Sequence, residues 1–152
     1  MTWAVTVFLR KLRITGVHAS LAKEDTMPSA RKMSTPIAVD LEMIQGRYAV
    51  LGDYTVAFET FHQDVDPAPF FLGLPEDRCQ CEHWGVVTDG QITFRWADRE
   101  ETYVAGDAYY APPGHLPLVT AGTSVVEFSP AEDLDQTMAV VGSNLAAAGV
   151  QK

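Results

Sequence analysis

Cys79, Cys81 and His83 stand at alternate positions of one short stretch. In an extended strand successive side chains point to opposite faces. These three therefore share one face, and Gln80, Glu82 and Trp84 take the other. Thiolates and imidazoles are softer donors than carboxylates and favour zinc or copper(I) over manganese or magnesium. Cα atoms two residues apart in a strand are roughly 6.5–7 Å apart, at the edge of disulfide geometry. Cys79 and Cys81 are therefore expected as free thiols. Cys79 and His83 are roughly 13 Å apart along a straight strand and share an ion only if a bulge or bend brings them together. The plain alternative is that both cysteines are small core side chains and His83 a satisfied core or rim group.

Other side chains carry weaker signals. Tyr109 and Tyr110 alternate, so one faces inward and can hydrogen-bond a ligand. Glu127 lies in a Val-Val-Glu-Phe strand and points either outward or into the interior as an acid or base. His62 reads as a solvated loop residue, and His18 lies in an N-terminal region of poor organisation.

The elements that must position these residues are mostly strands. Residues 37–46 suggest a short helical turn around Leu41 and Ile44. From Tyr48 the period becomes two, with Tyr54, Val56 and Phe58 alternating. A turn-rich loop follows, carrying Phe70, Phe71 and Leu72 as core plugs or as a lid. A strand over 79–88 ends at Asp89-Gly90, a hairpin signal. Ile92, Phe94 and Trp96 alternate on the next strand, and further strands follow near 102–105, 116–120 and 124–128. Ser129-Pro130-Ala131-Glu132 reads as a capping box opening a C-terminal helix. Leu134, Met138, Val141 and Leu145 form its apolar stripe, facing the barrel or a second subunit, and Gly149 ends it.

The chain has 152 residues, the usual size of one domain, and 47 % apolar content. Its net charge of −9 argues against nucleic acid as a partner. The charge is uneven: residues 1–33 carry six Lys/Arg against two acids, and 34–152 carry five against eighteen. Residues 1–33 are therefore expected to be a disordered arm or a non-native extension, with one folded domain over 34–152. Val5 to Leu9 as an ordered strand is the alternative. The apolar run at residues 3–9 is too short to span a bilayer, and its basic residues follow it, the wrong order for a secretory signal. With free thiols, this predicts a cytoplasmic protein and no membrane partner.

Residues 106–114 read Gly-Asp-Ala-Tyr-Tyr-Ala-Pro-Pro-Gly, followed by His115. This resembles the second motif of the cupin superfamily: Gly, five residues, Pro, one residue, Gly. The first motif, His-x-His, three or four residues, Glu, six residues, Gly, is matched by spacing alone. His83 stands with six residues between it and Gly90, in the place of the Glu, and Asp77 and Cys79 stand where the two histidines would be. The late histidine of the second motif falls on Pro117, with His115 two residues earlier. The resemblance implies an all-β, cupin-like double-stranded β-helix, a jelly-roll barrel, with the helix appended. It also implies that the turn at 112–114 lies opposite the first motif, which brings His115 toward His83.

The metal set expected is Cys81, His83 and His115, with Cys79 as a fourth candidate and zinc the divalent ion. The ligand contacts expected are His83, His115, Tyr109 and Glu127. Three functions fit: a module binding a small molecule in the barrel mouth, a metal-dependent enzyme acting on a small metabolite there, or a structural protein with a filled barrel. A homodimer is the expected assembly, because open sheet edges need cover.

Overall fold

The computed structural model describes residues 28–150. The N-terminal extension expected over 1–33 thus lies outside the described residues except for its last six, as does the alternative strand from Val5 to Leu9. Those six residues touch the barrel: Lys32 Nζ donates to Thr60 Oγ1 at 3.0 Å. The Thr35 hydroxyl, just beyond them, donates to the Arg31 carbonyl at 2.9 Å.

Nine strands and one long helix follow: β1 (Ile37–Asp40), β2 (Ile44–Leu51), β3 (Tyr54–Phe61), β4 (His83–Asp89), β5 (Gln91–Arg95), β6 (Glu100–Val104), β7 (Ala108–Ala111), β8 (Leu116–Val119), β9 (Ser124–Pro130) and α1 (Ala131–Ala147). They form a six-stranded sheet, β1-β2-β3-β9-β4-β7, and a three-stranded sheet, β6-β5-β8. Every strand pair is antiparallel. Single bridges from Val65 to Val119 and from Cys79 to His115 extend the small sheet beyond β8. The chain crosses between sheets at β4–β5, β6–β7, β7–β8 and β8–β9, the double winding of a jelly roll. This is the architecture the cupin resemblance implied.

Three local expectations are corrected. Residues 37–46 are not helical. Leu41 and Ile44 exchange both backbone hydrogen bonds across a two-residue turn, at 2.9 and 3.2 Å, so their spacing of three serves a hairpin. Asp89-Gly90 does not close a hairpin. It passes the chain to the other sheet, where β5 pairs with β6 and β8. Gly90 suits that turn because its φ is +70° and an added Cβ would lie 2.6 Å from Thr123 Oγ1. The capping box does not form. Pro130 is the N-cap without a side-chain hydrogen bond, and Ser129 stays in β9. Glu132 and Asp133 still complement the helix dipole in the first turn.

Alternation along the strands fills the space between the sheets. Ile92, Phe94 and Trp96 are buried with Phe61, Val87 and Tyr109. A second cluster joins α1 to the barrel mouth: Val141 and Leu145 pack with Phe71, Leu116, Cys79 and Cys81. The helix stripe therefore meets its own barrel. Asn144 Nδ2 also donates to the carbonyls of Phe70 and Leu72, each at 2.8 Å, which ties the loop to the helix. Phe71 is buried there and Leu72 is exposed. Trp84 faces away from the cysteines, as alternation requires. It packs between Tyr54 and Tyr110, with ring centroids 6.0 and 5.1 Å away. No helix among the described residues is long and apolar enough to cross a membrane.

Gly85 of β4 pairs with Tyr109 of β7 and Glu127 of β9. A Cβ there would lie 2.3 Å from Tyr109 Cζ. Gly85→Ala is expected to cost about 1–3 kcal/mol of stability, the usual penalty of overpacking a core. Urea denaturation measures it, and a Tyr109→Ala background should remove the added cost.

Candidate functional site

The chain bends between Cys79 and His83. Cys79 bridges to His115 on the small sheet, and His83 opens β4 on the large one. The bend replaces the straight-strand separation with a contact: Cys79 Sγ lies 3.4 Å from His83 Nε2. Cys79, His83 and His115 each present a ligand atom, and these atoms lie within 4.8 Å of one another, all buried. Cys81 does not join them. It sits in the bend, and its thiol turns to the Glu82 carbonyl at 3.4 Å. The expectation that Cys81, His83 and His115 converge with Cys79 behind them thus exchanges its two thiols. The two cysteines are free, as expected.

His115 is fully buried. Its Nδ1–H donates to the Pro112 carbonyl at 2.7 Å, which leaves Nε2 as the acceptor nitrogen. That Nε2 has no hydrogen-bond partner among the described residues. The ring is held edge-on to Phe94 and His83, with both centroids 5.1 Å away. His83 Nδ1 lies 2.7 Å from Ser129 Oγ and 3.2 Å from Glu127 Oε1. The Nδ1 side of His83 is thus engaged by two groups, and its Nε2 faces the Cys79 thiol. Burial pushes both histidines down to about 4, and the nearby His83 charge adds to the effect on His115. Both are therefore neutral near pH 7. Burial also pushes the Cys79 thiol up to about 12, and raises Cys81 beyond the usual thiol range.

Glu127 points inward. It accepts the Tyr109 hydroxyl at 2.6 Å. Tyr109 is the inward tyrosine of its pair, but it supports Glu127 from behind and does not line the cavity. Sequence reasoning missed Glu59, its partner Tyr48, and Ser129. Glu59 lines the same cavity and accepts the Tyr48 hydroxyl at 2.5 Å. Ser129 was assigned to a helix cap. The signal for Glu59 was parity: in β3 it stands between the inward Ala57 and Phe61. Gly46, opposite Glu59, leaves room for the Tyr48 ring, whose Cε1 would lie 3.0 Å from an added Cβ. Burial raises both carboxyls to about 7, and the charge of Glu127 adds to the effect on Glu59 while the Tyr48 hydrogen bond opposes it. With Glu127 raised and His83 lowered, their contact is a hydrogen bond between neutral-favoured groups.

These groups share one cavity of about 160 Å³, lined by His83, His115, Glu59, Glu127 and apolar side chains including Phe61, Phe70 and Phe94. Helix α1 contributes Met138, Val141 and Leu145. His62 is exposed, outside the cavity wall. His18 lies outside the described residues.

No protein-family model and no curated protein matches the chain. Solved structures do. KdgF from Halomonas sp. is 19 % identical, with 69 % of this chain and 94 % of that one covered and a TM-score of 0.49. An RmlC-like cupin from Shewanella frigidimarina is 16 % identical, with 72 % and 93 % covered and a TM-score of 0.48. Hydroxypropylphosphonic acid epoxidase from S. wedmorenis is 13 % identical, with 72 % and 61 % covered and a TM-score of 0.49.

The pH dependence of stability has a defined sign. Glu59 holds its proton in the folded state up to about 7, against 4.5 for the ordinary group. Its contribution is complete below 4.5 and is lost as pH rises through about 7. The histidines act in the opposite sense, with stability present above 6.5 and lost as pH falls toward about 4. Comparing wild type with Glu59→Gln cancels the histidine part. The wild type is expected to lose stability relative to the variant as pH rises from 4.5 to about 7, then to level off. Urea midpoints across that range measure it. A difference that does not change with pH would show that Glu59 ionises normally.

Proposed function

We propose that this protein binds a small molecule beside a divalent metal ion held by Cys79, His83 and His115 inside the barrel. The observation that carries the proposal is the bare Nε2 of His115. A buried nitrogen with no partner costs stability, and this one shares a small space with a thiol and a second imidazole nitrogen. The donor set fits a soft ion such as zinc, which favours thiolate and neutral imidazole. Both histidines have their other nitrogen engaged, the arrangement that orients metal-binding imidazoles. An ion bound there would lower the Cys79 thiol and supply Lewis acidity to a ligand. Three protein donors are also the number typical of zinc sites that keep a position for ligand.

A cavity of about 160 Å³ argues against a barrel packed shut. It is smaller than the usual ligand pocket of roughly 300–1,000 Å³, so the molecule is small. The second reading is a metal-dependent enzyme. It is favoured by Glu59 and Glu127, whose protons are exchanged near neutral pH beside the same cavity.

Elemental analysis of protein purified without an affinity tag tests the metal, and cobalt(II) loading reports thiolate ligation through its near-ultraviolet charge-transfer band. Wild type and Cys81→Ser should bind about one ion per chain with that band. Cys79→Ser should lose the band, and His115→Ala should weaken binding by at least tenfold. A band that survives Cys79→Ser, or the absence of any bound metal, would overturn the assignment.

A further inference from the structure

The hydrogen-bonding inventory of the cavity is one-sided. Tyr48 donates to Glu59, and Tyr109 donates to Glu127. His115 gives its only ring proton to the Pro112 carbonyl. The Nδ1 side of His83 is engaged by Ser129 and Glu127. What remains toward the cavity is one nitrogen lone pair and two carboxyl groups, which are acceptors once they give up their protons. Among the described residues, the second oxygen of Glu59 receives no hydrogen bond and the buried Nε2 of His115 has no partner. Two carboxyl groups therefore face one cavity with no lysine or arginine among its described lining residues; each either holds its proton or needs a cation from outside, because buried charges are stable only when paired.

From this arrangement we propose that the cavity binds a small organic cation, a primary ammonium group whose N–H donors reach Glu59 and Glu127 while its alkyl part lies against Phe61, Phe70 and Phe94. An ammonium brings three donors and no acceptor, the complement of this wall. A carboxylate or phosphate brings only acceptors and would meet two acids. Size agrees: a cavity of about 160 Å³, below the usual range of ligand pockets, suits a small amine. The inference shares the cavity with the proposed function and deepens it, but it does not require the metal.

The test is calorimetry at neutral pH with butylamine, 1-butanol and propionate, each about the size of the cavity. The full chain as purified and Cys79→Ser are both titrated. Butylamine is expected to bind both proteins at least tenfold more tightly than butanol, and propionate is expected not to bind Cys79→Ser. Glu59→Gln should weaken butylamine by at least tenfold, while Tyr48→Phe, which frees both Glu59 oxygens, should retain it. Failure of the metal reading alone would leave these results standing. Propionate binding as tightly as butylamine to Cys79→Ser would overturn the inference. So would no butylamine binding, or unchanged binding in Glu59→Gln.

Discussion

The bridge between Cys79 and His115 is the constraint on which the site depends. The Cys79 amide donates to the His115 carbonyl at 2.9 Å, and the Gly114 amide donates to the Cys79 carbonyl at 2.7 Å. These bonds pin the end of the long loop to the start of β8. Four residues later the chain must be in β4, on the other sheet. It can reach that sheet only by bending, and the bend turns Cys79 back toward His83. A continuous strand through this stretch would have kept the thiol and the imidazole far apart. The same bridge buries His115, because the residue that pairs with Cys79 lies between the sheets and under Phe94 and Trp96.

Burial then dictates the chemistry. A polar group removed from water must find a partner or change its charge. Most interior groups follow one course or the other. Both histidines are held neutral, and both glutamates hold protons to about 7. Each glutamate receives one tyrosine hydroxyl. The Nε2 of His115 follows neither course, since a neutral imidazole nitrogen left bare keeps its full desolvation cost. Thr55 Oγ1 is also without a partner among the described residues, but it lies outside the cavity lining; the bare nitrogen of His115 belongs to that lining and marks an interior built around something else.

Much of this was legible in the chain. The period of two marked the strands, and the resemblance carried by residues 106–114 implied the double winding. Alternation placed His83 and Trp84 on opposite faces, as they are. What was not legible depended on contacts far apart in sequence. Choosing Cys79 over Cys81 required the bend, which is fixed by pairing with His115, 36 residues on. Assigning β5 to the second sheet required partners β6 and β8, because a turn signal states that the chain reverses and not which sheet receives it. Glu59 was readable by parity, but a glutamate in a strand is ordinarily solvated.

Ser129 shows how such a departure arises. The sequence Ser-Pro-Ala-Glu is a sound helix-start signal, and a serine cap contributes about 1 kcal/mol. In β9, however, Ser129 shares its face with Glu127 and Val125, so its side chain points into the barrel. There the hydroxyl meets His83 Nδ1 at 2.7 Å, and the helix begins without a side-chain cap. The cap and the histidine compete for one hydroxyl, and sheet register decides the outcome. Local rules that yield to tertiary demands tend to do so at functional sites. This one yields at a residue that touches a candidate ligand and immediately precedes the helix closing the cavity. The orientation of His83 and the entry of α1 are therefore fixed by the same side chain.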